Sequence, residues 1–350
     1  MNVMLREFKL FKRSGALFMF ILTPIIIVFC ISLAISGSVH DVPIGVASTS
    51  NKDQTNLINA LNNDNGKISA SSVTVANINQ SFVTGQYKSV ILVDTNLTGF
   101  HKISIFIDST DQSLKEQMQS YLTVLLYNYY GTGNIKISVI HEYANYSYID
   151  YYSASIIMIS ALMGGVFMAS DSILKERETK TIENVIVTGF NTIRFTTEKI
   201  LSFVVLQTLS TLLIYLALVV LGLPMVNVSQ ILVIVAGIFI VQFIFVSIGF
   251  IMSGLVPNSE VAGALGGTIM FPLMFISGVF YSVYSMSPLV IPIAQLNPVT
   301  IGQNLFTIII LKGGTFSNVL PYLILLTGFG IILFILANFF VYRVTTSIKS

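Results

Sequence analysis

The sequence predicts a polytopic α-helical membrane protein with six transmembrane helices and an extracytoplasmic α/β domain inserted between helices 1 and 2. Three observations predict it. Of the 350 residues, 54% are hydrophobic and only 10% charged, where soluble domains carry about 25% charged residues. Those few charges cluster and leave five long uncharged runs. A stretch of about 100 residues between the first two runs carries the periodicities of a soluble fold, and is long enough for its own core. Mean hydropathy is +0.81, so the chain belongs in a lipid bilayer. A net charge of +2 without any long basic run excludes nucleic acid as a partner. Cys30, the single cysteine, lies in an apolar run, which excludes an intrachain disulfide framework and a cysteine-ligated metal site.

The elements follow in order. Residues 1–13 set Phe8, Leu10 and Phe11 among Arg6, Lys9, Lys12 and Arg13, the composition of an amphipathic helix lying on the membrane surface. No charge occurs for 27 residues after Arg13, and a helix needs about 20 apolar residues to cross about 30 Å of hydrocarbon, so 14–36 is span 1. Ala34–Ile35–Ser36 has the small-x-small form of a cleavage site. The apolar stretch is about 20 residues where a signal peptide has about 7–15, so the segment is read as a retained span.

Residues 37–151 form the α/β domain. Val42–Ala47 reads as a strand, Asp53–Leu61 as a helix, Ile68–Val75 as an alternating strand, and Ile78–Val83 as a short helix. Ser89–Val93 and Ile103–Ile107 read as further strands, and Gln112–Tyr130 as a longer helix with Leu114, Met118, Leu122, Leu125 and Tyr129 near one stripe. The three histidines, His40, His101 and His141, lack metal-ligand spacing and are read as surface polar residues. The sequons at Asn79, Asn96, Asn145 and Asn227 carry no weight in so Asn- and Ser-rich a chain.

Span 2 is 152–174, from the 20 uncharged residues between Asp150 and Asp171. The 60-residue uncharged run after Lys199 holds two spans, 200–222 and 229–255, divided at Gly222–Leu223–Pro224. The 51-residue run after Glu260 opens with span 5 at 262–284. Beyond it, 285–317 is broken by Pro288, Pro292 and Pro298 and reads as short helices re-entering the outer leaflet, where packing against protein satisfies irregular backbone. Span 6 is 318–342, and 343–350 is a tail.

Lys and Arg set the orientation. Residues 1–13 hold four, the 171–199 connection five, and the tail two, while the short connections on the opposite side hold only Lys312. Positive-inside bias puts both termini and the 175–199 loop in the cytosol of a plasma-membrane protein. The six lysines of the segment 41–150 do not oppose this, since long domains translocate regardless of charge.

That cytosolic loop is the informative segment. Its five Lys/Arg are matched by five Asp/Glu, which positive-inside bias does not ask for and a basic protein partner does. Thr181 can cap a short helix, Glu183 sits in its first turn where the dipole favours an acid, and Gly189 can end it. Ile182, Val185 and Ile186 make one apolar face.

Here the chain resembles the ABC-2 type permeases, the membrane subunits of ATP-binding-cassette exporters, in the subgroup with an extracytoplasmic domain between spans 1 and 2. The family's E-R-E-x-G-T-x-E motif stands as Glu176–Arg177–Glu178–Thr179–Lys180–Thr181–Ile182–Glu183, with Lys180 where the family has Gly and, further on, Gly189 where it has Pro. Ser277–Gly278–Val279–Phe280–Tyr281 and Leu296–Asn297–Pro298–Val299–Thr300 are similar to two further family motifs. So are Val42–Pro43–Ile44–Gly45–Val46, Ser89–Val90–Ile91–Leu92–Val93 and Ile105–Phe106–Ile107–Asp108 in the domain.

The resemblance implies an ATPase partner docked at a coupling helix that includes Glu176, Arg177, Glu178, Thr181 and Glu183, with the N-terminal helix also against the ATPase. It further implies a homo- or heterodimer of permeases with the translocation path on the two-fold axis. ATP would be bound by the partner subunit, since the chain lacks G-x-x-x-x-G-K-[ST]; it is read as non-catalytic and without a cofactor of its own. The spans lack ionisable residues at their middles, which disfavours ion-coupled transport and suits amphipathic or hydrophobic cargo. Gln207, Gln242, Gln303 and Asn304 are candidate lining residues, and each is equally the type that hydrogen-bonds between helices. A receptor sensing an extracellular ligand is the alternative function, against which stands a cytosolic mass of under about 60 residues with no signalling domain. No H-E-x-x-H or G-x-S-x-G supports a membrane enzyme.

Overall fold

In the computed structural model, the described residues are 40–48, 50–63, 66–95, 101–131, 135–142, 148–179 and 192–349. The N-terminal helix expected at 1–13, span 1 at 14–36, and the short helix expected between Thr181 and Gly189 lie outside them.

One part is a five-stranded sheet of order β2-β1-β3-β4-β5: β1 Val42–Ser48, β2 Ile68–Ser72, β3 Ser89–Thr95, β4 His101–Asp108 and β5 Ile135–Glu142. Strand β1 pairs parallel to β2 and β3, β3 antiparallel to β4, and β4 parallel to β5. Alternation decides which side chains go where. Val42, Ile44 and Val46 of β1, with Ile103, Ile105 and Ile107 of β4, point to one face. There they meet Leu57 and Leu61 of α1 (Asn51–Asn62) and Leu114, Met118, Leu122 and Leu126 of α3 (Gln112–Tyr130). Each such side chain, fully buried, stabilises by about 1.5–3 kcal/mol. The buried stripe of α3 runs on to Leu126, while Tyr129 is exposed, because only the strict i+4 set stays over the sheet. The other face takes α2 (Ile78–Val83) through Ile78 and Phe82, packed on Val73, Tyr87 and Val90.

The elements read from the sequence in this region are present, except that the strand expected over Ile68–Val75 ends at Ser72 and Val75–Asn77 is a 3-10 turn, and β5 is an addition. The histidines read as surface residues all keep partial exposure. His101 and His141 are half-buried at opposite ends of the β4–β5 pair, and His101 rests against Tyr130 with ring centroids 4.5 Å apart.

The rest is a helical bundle. Helix α4 (Tyr148–Met163) continues through a π-helical turn, Gly164–Met168, into α5 (Ala169–Glu178). Then come α6 (Thr192–Val220), α7 (Val228–Leu255), α8 (Ser259–Phe275), α9 (Ile291–Leu296), α10 (Pro298–Ile310) and α11 (Phe316–Lys349). Among the described residues four helical stretches are long and apolar enough to cross a membrane: Ile149–Glu178, Ile193–Val220, Val228–Leu255 and Phe316–Arg343. The molecule is therefore a polytopic helical membrane protein.

Helix α8 departs from expectation. It ends at Phe275 rather than 284, so its 17 residues span about 26 Å at 1.5 Å each. The Ser277 hydroxyl donates to the Met274 carbonyl at 2.7 Å, and Gly278, at φ 89°, turns the chain back in a conformation that glycine adopts without cost. Helix α10 lies against the first half of α7: Leu305 and Phe306 reach Gly237, and Gly302 reaches Val241, the midpoint of α7. It covers only the half of the bundle nearest the sheet.

Candidate functional site

Three polar constellations interrupt the apolar bundle: one at the end far from the sheet, one at mid-height and one beneath the sheet.

At the far end three consecutive charges each bind a different helix. Glu176 pairs with Lys199 of α6 at 2.5 Å. The guanidinium of Arg177 donates through Nη1 to the carbonyls of Ser253 and Val256, both at 3.0 Å, at the end of α7. Those carbonyls have no intrahelical partner and form the negative end of the helix dipole, so a cation there satisfies both needs. Glu178 Oε1 accepts the backbone N–H of Ser259, the first residue of α8, at 2.9 Å, an acid placed at a positive helix end. Thus the end of α5 is tied to the ends of α6, α7 and α8. Thr181 and Glu183 lie outside the described residues.

At mid-height, Gln242 is fully buried and donates to Thr211 Oγ1 at 2.8 Å. Gln207 is buried and donates to the Met168 sulfur at 3.0 Å. Both therefore join helices α6 and α7 to each other and to the π turn. The π turn packs closely on α7: a Cβ at Gly249 would sit 2.6 Å from the Val166 carbonyl oxygen and 2.9 Å from that of Gly165. Helix α7 and the π turn approach closely because glycine stands on both sides: a Cβ at Gly165 would likewise sit 2.7 Å from the Phe245 Cβ.

Beneath the sheet is a cavity of about 370 Å³ lined by both parts of the molecule, among others Lys88 and Asp111 from the domain and Tyr152, Gln303, Asn304 and Tyr322 from the bundle. Gln303 donates to Ser155 Oγ at 3.1 Å, its Oε1 is buried without a partner among the described residues, and Asn304 is exposed. Of the four glutamine and asparagine residues singled out by sequence, two line this cavity and two are interhelical bonds.

Sequence reasoning missed the cavity's charges. Lys312 reaches from the α10–α11 connection into the domain, where Nζ pairs with Asp108 Oδ2 at 2.5 Å and donates to the Phe82 carbonyl at 2.9 Å. The two side chains are only 2% and 0% exposed. Thr110 donates twice to the other carboxylate oxygen, by N–H at 3.0 Å and by hydroxyl at 2.6 Å. Burial alone would raise the Asp108 pKa, but Lys312 and Lys88 outweigh it and hold the carboxyl below its usual value. A signal existed: Lys312 is the single Asp, Glu, Lys or Arg between Glu260 and Arg343, and an isolated charge among apolar residues demands a partner.

Fold and polar sites together define a membrane protein whose helix ends are tied together by the charges of α5 at one end and bound to a sheet domain at the other. A family model described as ABC-2 family transporter protein matches residues 15–339. The chain belongs to that family and is an ABC-2 type permease. Among curated proteins, none matches the chain.

Proposed function

We propose that this permease moves an amphipathic or hydrophobic substrate outward across the plasma membrane, driven by ATP hydrolysis on a separate ATPase subunit. The observation that carries the coupling role is the three-helix tie at Glu176, Arg177 and Glu178. A subunit docked on the adjoining segment and pulling on α5 would move the ends of α6, α7 and α8 with it. On this reading Glu183 and Thr181 present the docking helix, the three preceding charges transmit its displacement, and both termini are cytosolic. The sheet domain lies outside, span 1 completes a six-span topology, and two permeases pair about a two-fold axis. The cavity beneath the sheet, lined by Gln303 and Asn304, is the outer part of the path, where polar and apolar groups mix as an amphipathic cargo requires.

Charge reversal tests the docking. Glu183→Lys would oppose the helix dipole and meet like charge on a basic groove. Breaking such a pair from one side costs about 2–5 kcal/mol, which exceeds a tenfold loss of binding. The variant should reach the membrane at normal level and lose copurified ATPase. Glu116→Lys, on α3 of the sheet domain, is the matched control and should keep it. Retention of the ATPase by Glu183→Lys together with its loss in Glu116→Lys would sink the docking assignment.

A further inference from the structure

The cavity beneath the sheet holds a cation whose pairing is incomplete. Lys88 lines it, with a side chain 16% exposed and its nearest carboxylate oxygen, Asp108 Oδ2, at 3.9 Å. That is beyond hydrogen-bond range. The same oxygen is already occupied by Lys312, and Oδ1 by Thr110. Asp111, the other acid on the wall, is engaged as the N-cap of α3, its Oδ1 accepting the Leu114 N–H at 3.1 Å, and the positive helix end offsets its charge. Burial lowers the Lys88 pKa, but Asp108, Tyr284, Asp111 and Tyr322 outweigh it and hold the ammonium charged. Tyr152, Tyr284 and Tyr322 stand around it, aromatic bodies with polar tips. On the floor, the acceptor Gln303 Oε1 has no donor among the described residues.

Neutral hydrophobic cargo needs none of this. We infer that the cavity is a binding site for a small anionic amphiphile, with its carboxylate or phosphate on Lys88 and its apolar body among the tyrosines. A hydroxyl or N–H on such a ligand would satisfy Gln303. The volume suits the head and first part of such a molecule. The inference deepens the export reading by naming the charge class of what occupies the outer part of the path. The head could belong to a soluble acid or to an anionic lipid, and the two are separable.

Binding is measured on the full chain in phosphatidylcholine nanodiscs with no ATPase present, so that its outcome is independent of coupling. Titration calorimetry uses phenylpropionate and its cationic counterpart phenylpropylammonium. The acid should bind at least about tenfold more tightly than the amine, and Lys88→Gln should weaken the acid by about tenfold or more, the size of one charge-assisted hydrogen bond. Lys88→Arg, which keeps the charge and controls for folding, should restore it. Native mass spectrometry of nanodiscs with added phosphatidylglycerol separates the sources. Retention of that lipid by the wild type but not by Lys88→Gln, with competition against phenylpropionate, identifies a lipid head; phenylpropionate binding unaffected by the lipid identifies a soluble acid. Equal binding of acid and amine, acid affinity unchanged in Lys88→Gln, or binding of neither phenylpropionate nor phosphatidylglycerol would overturn the inference. Loss of ATPase coupling in Glu183→Lys leaves that result untouched, so the two readings fail separately.

Discussion

The two ends of the bundle solve the same problem with different chemistry. Each uses scarce charges to join elements remote in sequence, yet the Lys312–Asp108 pair beneath the sheet is only 2% and 0% exposed, while Lys199 and Glu176 at the far end are 13% and 32% exposed. A buried pair is stiff because breaking it strands a charge away from water; a pair with a third of one partner in water can exchange that partner for solvent at lower cost. The sheet end is therefore a fixed latch between domain and bundle. The far end is a set of ties that can be remade, as a segment that transmits movement requires.

The largest effect should come from the latch. Asp108→Ala leaves Lys312 buried without its counter-charge, a change that costs about 3–5 kcal/mol. Denaturant melting of the purified chain should show it, together with faster proteolysis between domain and bundle. The double variant Asp108→Leu/Lys312→Met should recover most of the loss, since an apolar pair of similar volume leaves no stranded charge. Failure of the double variant to recover would mean that the latch acts through more than this pair. The latch should also survive mild acid. A carboxyl whose folded pKa is depressed contributes stability that is fully present above its ordinary value and is lost only as pH falls through the folded value. Lowering the pH from about 7 to about 5 should therefore leave the domain docked.

Arg177 comes next. Arg177→Ala removes charge-assisted bonds to two carbonyls at the end of α7, each bond of this kind being worth about 1.5–3 kcal/mol. Melting should fall by less than for Asp108→Ala, because truncating the arginine takes its charge away with it and leaves neutral carbonyls, not a stranded ion. An equal fall would erase the distinction between the ends.

Much of this architecture was legible in the sequence. Period-two runs such as Ile103–Ile107 and the period of Leu114, Met118 and Leu122 located strands and helices because each of those elements faces one core. The four long helices emerged from charge-free runs because the hydrocarbon they cross excludes charge. What escaped depended on long-range geometry. Arg177 finds its carbonyls 76 and 79 residues away, and Lys312 its carboxylate 204 residues away. No local pattern encodes such a distance. The early end of α8 rests on a backbone angle at Gly278 that composition leaves open. The close packing of α7 on the π turn depends on Gly249, 81 residues beyond the end of the turn.

That close approach offers a smaller test at the level between the two ends. Gly249→Ala places a methyl 2.6 Å from the Val166 carbonyl oxygen, so helix α7 must shift away from the π turn. Overpacking of this kind costs about 1–3 kcal/mol. If the variant melts as the wild type does, the turn yields freely and does not lock the two halves of the bundle together.

The smallest expected effect sharpens the contrast most. Glu176→Gln removes one charge of the α5–α6 tie but leaves a side chain that still accepts a hydrogen bond from Lys199. With a third of the Glu176 side chain in water, the pair is less costly to disturb than one wholly buried, and the glutamine leaves no stranded carboxylate, so melting should move less than for any variant above. Raising the salt from about 0.1 to about 1 M shortens the screening length from about 10 to about 3 Å, and should narrow the gap between Glu176→Gln and wild type. The same salt change should leave the gap between Asp108→Ala and wild type nearly intact, because the buried pair is screened far less. A loss in Glu176→Gln as large as that of Asp108→Ala, and as indifferent to salt, would make the far end a second fixed latch. The three charges at the end of α5 could not then be remade during transport, and the movement would have to pass through the bundle with those ties intact.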